Sequence, residues 1–256
     1  MSSTRPIVET EILGDQIASE RGRPRPENRL LAALLSQGGE RLRRGLEPVF
    51  LPYRQVLFEP DGPLGALYFP QDSVVAITYE FEDGTTAQMT TVGSEGVVPV
   101  PAILGSKRAL DRHVVQVPGS AMRIKAPTLL GAVQDSPFRC QLLKAFVQAY
   151  ISRALQSAAC NALHSAEERC ARWLLMTADS TGNDAFELTH DFLAELIGVH
   201  RPTVSVATRT LRDAGLIRCS RGKIEIVDRG GLERASCECY QVIRQKQEQL
   251  LGSSRA

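Results

Sequence analysis

The spacing of apolar residues changes twice along the chain and predicts three kinds of structure. Residues 28–46 carry leucines at helical spacing, interrupted at Gly38-Gly39. From Glu47 to about Lys125, short runs rich in Val, Ile, Tyr and Phe alternate with turn signals such as "EPDGPLG", "FEDGTT" and "VPGS". Turns every roughly 8–12 residues are typical of an antiparallel sandwich or roll. The stretch "SVVAITYEFEDGTTAQMTTV" predicts one hairpin of it, closed at Asp83-Gly84.

A long helix is predicted to follow from Pro137. Apolar positions at helical spacing run into "ALQSAACNALH", which is crowded with small residues. About 28 residues of helix would span roughly 42 Å. Such a helix either bridges two domains or forms a coiled-coil-like dimer seam, and we favour the dimer seam. The capping box "SAEE" at 165–168 starts the next helix, which makes His164-Ser165 a candidate hinge.

Two short helices with a tight turn between them are predicted in "LTHDFLAELIGVHRPTVSVATRTLRDAGLI". Thr189 is a plausible N-cap, Gly198 suits a left-handed helix end, and Pro202 suits the first position of the next helix. With the small Ala194 and with Val204, these positions form the helix-turn-helix pattern, whose second helix enters the DNA major groove. A helical hairpin that binds no nucleic acid is the alternative.

The residues after this motif favour DNA binding. "GLIRCSRGKIEIVD" predicts a small hairpin that turns at Arg-Gly, and two helices followed by such a hairpin form a winged helix. Between positions 198 and 223, Asp213 is the one acidic residue against six basic ones, a local charge of about +5. These six are Arg201, Arg209, Arg212, Arg218, Arg221 and Lys223.

Composition agrees with a globular protein that binds nucleic acid through one local surface. The 256 residues are 43% hydrophobic and 23% charged, with a net charge of +1. No apolar run is long enough for a membrane span and no signal-peptide core precedes the first helix, so we expect a cytoplasmic protein without a membrane partner. The six cysteines are then expected to be reduced. Residues 1–27, which end basic and Pro-rich, are predicted to be a flexible lead-in.

The order roll, long helix, hinge, winged helix resembles the Crp/Fnr family of bacterial transcription regulators, over residues 28–240. "LEPVFLPYRQVLFEPDGPLGALYFPQDSVVAI" and "LTHDFLAELIGVHRPTVSVATRTLRDAGLIRCSRGKIEIVD" carry the resemblance. It implies an α+β fold: an antiparallel β-roll of the cyclic-nucleotide-binding type at 28–135, a dimerisation helix at 136–164 and a winged helix-turn-helix domain at 165–256. It also implies double-stranded DNA and a second copy as partners, with RNA polymerase as a further candidate.

The effector pocket departs from the family pattern. Members that bind cyclic AMP hold the ribose beside a Gly-Glu pair and the phosphate with an arginine before Ser-Ala or Thr-Ala. The resemblance places Gly93, Glu95 and Gly96 of "VGSEG" at the ribose, but the phosphate position falls near "RALDR". Arg108 or Arg112 could substitute there, although neither is in the expected frame. We therefore expect no specificity for cyclic AMP, and a small-molecule effector stays open.

The second helix of the motif also departs from the family, which commonly begins it Arg-Glu-Thr-x-x-Arg. Here the glutamate is replaced by Pro202 and the second arginine by Val206, so the usual base contacts are lost. The residues predicted to face the groove are Arg201, Thr203, Ser205 and Arg209, and those predicted to contact phosphate are Arg218, Arg221 and Lys223.

Other chemistry finds little support in the sequence. No cysteine precedes Cys140, which argues against the N-terminal iron–sulfur cluster of the family's oxygen sensors. Cys237-Glu-Cys239 is the closest cysteine pair, but without further paired ligands it is weak for zinc, and a helix interior or frayed helix face accounts for it. We thus expect no metal and no cofactor. Cys160 is a candidate redox thiol. Enzyme motifs are absent, and the alternatives are a regulator gated by another cyclic nucleotide or by thiol redox state, or a protein that binds a ligand or a partner other than DNA.

Overall fold

The computed structural model describes residues 27–83, 86–220 and 222–252. The predicted lead-in therefore lies outside the described residues, except for Glu27. Two short helices open the described part, α1 (Arg29–Leu35) and α2 (Glu40–Gly45), and they are separated near Gly38-Gly39 as predicted. The Asn28 side chain accepts a hydrogen bond from the Leu31 amide and so caps α1.

The predicted antiparallel roll is confirmed. Its strands are β1 (Glu47–Leu51), β2 (Val56–Phe58), β3 (Ala66–Pro70), β4 (Val74–Glu80), β5 (Thr86–Val92), β6 (Arg112–Val117) and β7 (Gly119–Lys125). They form two antiparallel sheets, ordered β1-β7-β3 and β2-β6-β4-β5. The β4–β5 hairpin pairs Glu80 with Thr86 as predicted, while Gly84 of its turn lies outside the described residues. A short helix, α3 (Val100–Ile103), was not predicted.

The two sheets enclose one apolar core. Leu67, Phe69, Ile77, Val115 and Ile124 are almost fully buried in it. Helix α4 (Ala126–Gln134) leaves the last strand, and the long helix α5 (Pro137–Leu163) follows. Leu142, Leu143 and Phe146 in the first half of α5 belong to the same core. The roll and the start of α5 are therefore packed together.

The predicted long helix is confirmed at 27 residues. Ser136 caps its start by accepting a hydrogen bond from the Arg139 amide, and His164 ends it. The next helix, α6 (Ala166–Thr181), begins at the predicted capping box, in which the Ser165 and Glu168 side chains each bond the other residue's backbone amide. The chain thus changes from one helix to the next within two residues, at the predicted junction.

A winged helix-turn-helix follows α6. Its elements are β8 (Ala185–Glu187), α7 (His190–Ile197), α8 (Arg201–Asp213), β9 (Ile217–Ser220) and β10 (Lys223–Ile226), and the chain continues through α9 (Arg229–Ala235) and α10 (Cys239–Gly252). The wing is a three-stranded antiparallel sheet, ordered β8-β10-β9, of which β8 was not predicted. Leu174, Leu193, Val204 and Ile224 share its core. Within the described residues, no helix is long and apolar enough to cross a membrane.

Candidate nucleic-acid interface and neighbouring sites

The turn of the helix-turn-helix is built by local chemistry and by one buried arginine. Thr189 caps α7, and Gly198 takes the left-handed conformation (φ 64°) that ends it. The Arg169 side chain, from α6, donates to the Ile197 carbonyl at 2.7 Å and to the Asn161 carbonyl at 3.4 Å. Because Arg169 joins the end of α7 to the end of α5, it fixes the motif relative to the long helix.

The inner face of α8 is apolar and packs closely. Val204, Ala207 and Leu211 are almost fully buried, and Ala194 of α7 lies in the same core. The predicted close crossing of the two helices is therefore present. Helix α8 begins at Arg201, so Pro202 is its second residue rather than its first. Neither position needs a backbone N–H for the helix, and the proline is tolerated there.

The outer face of α8 is exposed and presents Arg201, Thr203 and Arg209. Arg201 forms a surface ion pair with Asp191 (Nε–Oδ1 3.2 Å) at the start of α7. Val206 shares this face and is 54% exposed. In the sequence, Val206 stands out only as the replacement of an arginine, but an exposed aliphatic side chain here suits contact with a thymine methyl group.

The Ser205 side chain, also predicted to face the groove, is engaged in contacts within the motif. Its hydroxyl donates to the Arg201 carbonyl at 3.2 Å and lies 3.3 Å from Nδ1 of His190, on the preceding helix. Thr208 lies 3.4 Å from the other ring nitrogen, Nε2. His190 thus bridges α7 and α8, and Ser205 serves the contact between the helices. No local sequence pattern points to His190, because its partners are 15 and 18 positions away.

Two of the residues predicted to contact phosphate, Arg218 and Lys223, lie on the strands of the wing. Ile224 and Ile226 of β10 face the core, while Lys223 is exposed. Arg218 of β9 forms a 2.7 Å ion pair with Glu225 across the hairpin, which offsets part of its charge. Arg221, which follows β9 in the sequence, lies outside the described residues. Of the described basic residues of the wing, Lys223 is therefore the better placed for a phosphate.

The predicted ribose end of the effector pocket is occupied by the protein's own side chains. Glu95 is 3% exposed, and its carboxylate pairs with Arg153 of α5 (Oε1–Nη1 2.6 Å) and accepts from the Ser180 hydroxyl of α6 at 3.1 Å. Arg153 also donates to the Thr91 hydroxyl. Burial opposes the charged form of Glu95, but the charge of Arg153 and the backbone hydrogen bonds at Glu95 and Gly93 together outweigh it and lower the pKa of the carboxyl. Glu95 is thus held as a carboxylate and fully paired.

Gly93 and Gly96 serve close packing at this point. A side-chain carbon added at Gly96 would meet the Phe146 ring of α5 at 2.2 Å, and one added at Gly93 would meet Ser180 at 2.4 Å. The stretch "VGSEG" is therefore the junction at which the roll contacts both long helices. Arg153 lines two small, open clefts beside it.

The two arginines proposed for the phosphate lie elsewhere. Arg108 donates to the Asp61 carbonyl at 2.5 Å in an exposed loop. Arg112, on β6, pairs with Glu59 and Glu80, each at 3.1 Å. Neither arginine lines the clefts beside Arg153. The structure does not bring the five predicted pocket residues into one cavity.

The cysteines are arranged differently from the sequence expectation. Cys237 precedes α10 and Cys239 is its first residue, so the pair is not inside a helix. Cys160 from the end of α5 lies 3.5 Å from Cys237 (Sγ–Sγ), and His164 lies 3.6 Å from Cys239 (Nδ1–Sγ). A hydrogen bond from Cys237, with the charge of Arg172, lowers the pKa of the Cys160 thiol to about 5. Two further groups able to bind a metal, Cys160 of α5 and His164 of the junction, therefore lie beside the pair, which the sequence spacing did not predict.

Comparison with known proteins supports the fold and the motif. Residues 168–235 match the family model of the Crp-like helix-turn-helix domain. FixK2 from Bradyrhizobium japonicum is similar in structure, with 16% identity and a TM-score of 0.64 over 75% of this chain and 98% of that one. A putative Crp/Fnr-family regulator from Eubacterium rectale has 18% identity and a TM-score of 0.61 over 80% and 96% of the two chains.

A third similar structure is the global regulator CLP from Xanthomonas campestris, described as c-di-GMP responsive, with 20% identity and a TM-score of 0.56 over 73% and 96% of the two chains. A search of curated proteins found no match. Residues 168–235 therefore match a Crp-like helix-turn-helix domain, in a chain whose fold is similar to that of solved regulators of the Crp and Crp/Fnr families.

Proposed function

We propose that the protein is a homodimer that binds an inverted-repeat DNA site, with α5 as the dimer seam. The observation that carries this proposal is an exposed stripe on α5 with alternating spacings of three and four residues. The stripe comprises Gln148, Ile151, Leu155, Ala158 and Ala162. This is the spacing of a coiled-coil seam, in which each side chain packs between side chains of a partner helix.

Exposed aliphatic residues on the stripe need a partner. Ile151 and Leu155 are 50% and 67% exposed, and burying such side chains stabilises an assembly by about 25 cal/mol per Å² of apolar surface. Two parallel copies of α5 would bring the two outward faces of α8 to the same side of the dimer. Recognition helices about 34 Å apart read half-sites one helical turn apart on one face of the duplex.

Within each half-site, we assign base contacts to Arg201, Thr203 and Arg209, with an apolar contact from Val206. Lys223, Arg218 and Arg221 of the wing are assigned to the phosphate backbone. The roll acts in this proposal as a scaffold without cyclic AMP, because Arg153 occupies the Glu95 carboxylate to which the family resemblance assigned the ribose.

Selection of bound fragments from sheared genomic DNA tests the DNA site. The purified full chain is used at near-physiological salt, with and without cyclic AMP, cyclic GMP or c-di-GMP. We expect an enriched inverted repeat with half-sites one turn apart, unchanged by the nucleotides. Enrichment that requires one nucleotide would reject the scaffold role of the roll, and no enrichment under any condition would reject sequence-specific binding.

Leu155→Lys tests the dimer seam, and Leu110→Lys in the roll is its matched control, since both leucines are 67% exposed. We expect Leu155→Lys to shift the mass measured by light scattering from dimer to monomer, and to weaken binding to the inverted repeat at least tenfold. The control should keep both properties. A Leu155→Lys variant that stays dimeric would reject α5 as the seam.

A further inference from the structure

A compact group of four metal-ligating side chains lies where the long helix meets the DNA-binding part. Cys160, His164, Cys237 and Cys239 each offer one ligand atom, and these atoms all lie within 4.8 Å of one another. The three cysteines are at most 3% exposed. The group, called here the Cys3His cluster, combines the end of α5, its C-cap and the segment that leads into α10.

We propose that the Cys3His cluster binds one Zn²⁺ ion, which ties the α5–α6 junction to the start of α10. Three thiolates and one imidazole are a common ligand set of structural zinc sites. Tetrahedral bonds of about 2.3 Å to sulfur and 2.0–2.1 Å to nitrogen place two sulfurs about 3.8 Å apart and a sulfur and a nitrogen about 3.5 Å apart. The Cys160–Cys237 and Cys239–His164 distances, 3.5 and 3.6 Å, are close to these values.

The residues around the cluster also have the arrangement of a metal site. Nδ1 of His164 faces Cys239, while its Nε2 lies 3.1 Å from the Glu238 carboxylate. A carboxylate on the far ring nitrogen orients a metal-bound imidazole and fixes its tautomer. Gln156 donates an amide hydrogen bond to the Cys239 sulfur at 3.1 Å, which stabilises a thiolate.

Spacing favours a single ion over an iron–sulfur cluster. The four ligands of a cubane cluster bind four different irons and are held much further apart than 4.8 Å. Zinc bound here requires all three cysteines as thiolates, so binding releases to solvent any protons that the thiols still carry, and it is weaker at low pH. No electron transfer is involved, because Zn²⁺ is not redox-active.

Metal analysis of the full chain, purified with reductant, tests this proposal. We expect one Zn²⁺ per chain in the wild type, loss of it in Cys237→Ala, and full occupancy in Cys140→Ala, a half-buried cysteine on α5 outside the cluster. His164→Cys should keep the metal, since four thiolates also bind zinc, and Glu238→Gln should weaken it about 10- to 100-fold.

A titration of metal-free wild-type protein with Co²⁺ avoids any folding defect of the variants. We expect the absorption bands of a tetrahedral thiolate site at one equivalent, lost on addition of Zn²⁺. Absence of these bands, stoichiometric iron or copper in place of zinc, or a Cys160–Cys237 disulfide that persists with reductant and zinc would each overturn the proposal.

The consequence for DNA binding rests on the proposed function and is measured separately. Removal of zinc by a chelator should weaken binding to the selected inverted repeat, and added Zn²⁺ should restore it. If zinc is removed and the DNA affinity does not change, the zinc site has no role in DNA binding, and the proposed function is unaffected. Failure of all DNA binding, with zinc bound, would instead reject the proposed function alone.

Discussion

Among single residues, His113 contributes to the response of the roll to acid. It lies on β6, is 1% exposed, and meets the Phe58 ring edge-on at 5.4 Å. Burial lowers its pKa from 6.5 to about 4, because the charged imidazolium is poorly solvated there. The folded protein therefore favours the neutral ring, and protonation of this ring destabilises the fold.

The contribution of His113 to the pH dependence of unfolding follows from that shift. The stabilisation from neutral His113 is present above pH 6.5 and is lost as the pH falls towards 4. It amounts to about 2 kcal/mol between pH 7 and 5 and about 3 kcal/mol by pH 4. Urea unfolding of His113→Leu should show a correspondingly smaller loss of stability between pH 7 and 5. The exposed His200→Leu should keep the wild-type loss, and an equal loss in both variants would contradict this account.

Arg209 and Lys223 are predicted to affect DNA binding in different ways. Arg209→Ala should weaken binding to the selected site by about 1–3 kcal/mol and relax the base preference at one position. Lys223→Ala should weaken binding to all sequences alike and reduce the slope of log K against log salt by about 0.9. Fluorescence anisotropy over a salt series separates the two. If Arg209→Ala and Lys223→Ala weaken binding equally and to the same extent on all DNA sequences, Arg209 contacts the phosphate backbone and not a base.

Local chemistry explains why individual caps could be predicted from the sequence. The hydrogen bonds of Thr189 and Ser165 and the left-handed Gly198 depend on neighbours within a few positions. The partners of Ser205 and Cys160 could not be predicted in this way. Cys160 meets Cys237 across 77 positions of the chain, so only the packing of α10 against the end of α5 brings them together.

At the scale of elements, the junction between the roll and α5 depends on Gly96. No side chain larger than hydrogen fits between it and the Phe146 ring. Gly96→Ala is therefore expected to lower the free energy of unfolding by about 1–3 kcal/mol, the usual cost of overpacking a core. Thermal or urea unfolding of the variant measures it.

Gly65→Ala is the matched control, because an added carbon there meets nothing within 4 Å. Combining Gly96→Ala with Phe146→Leu tests the mechanism, since a smaller side chain on α5 relieves the clash. We expect the double variant to be less destabilised than the sum of the two single variants. Simple additivity would show that the Gly96 and Phe146 positions do not interact.

Element prediction succeeded where apolar periodicity was long or a turn signal was strong. The roll strands, the 27-residue α5 and the two helices of the motif all have such signals. Strand β8 has three residues and, among the described strands, pairs with β10 alone, so its pattern is too short to distinguish from a loop. Helix α3, with four residues, was missed for the same reason.

For the whole molecule, the buried pair of Glu95 and Arg153 links the roll to both helices. Glu95 follows β5 in the roll, Arg153 lies on α5, and Ser180 on α6 donates to the same carboxylate. The sequence motif around Glu95 predicted a ligand contact, but the position of Arg153 along α5 supplies an internal partner instead. The family resemblance could single out the Glu95 carboxylate from the sequence. That Arg153 is its partner depends on how α5 packs against the roll, which the sequence does not reveal.

Removing one member of this pair should cost far more than removing both. Glu95→Gln leaves the Arg153 charge buried without its counter-ion and is expected to destabilise the fold by about 3–5 kcal/mol, whereas Glu95→Gln with Arg153→Met should recover much of that loss. Urea unfolding of the wild type, both single variants and the double variant gives the coupling energy. Because the wild-type carboxylate is already paired, cyclic AMP should not raise the melting temperature of the wild-type protein. A rise in melting temperature with cyclic AMP would mean that the nucleotide displaces Arg153, and that Glu95 contacts a ligand after all.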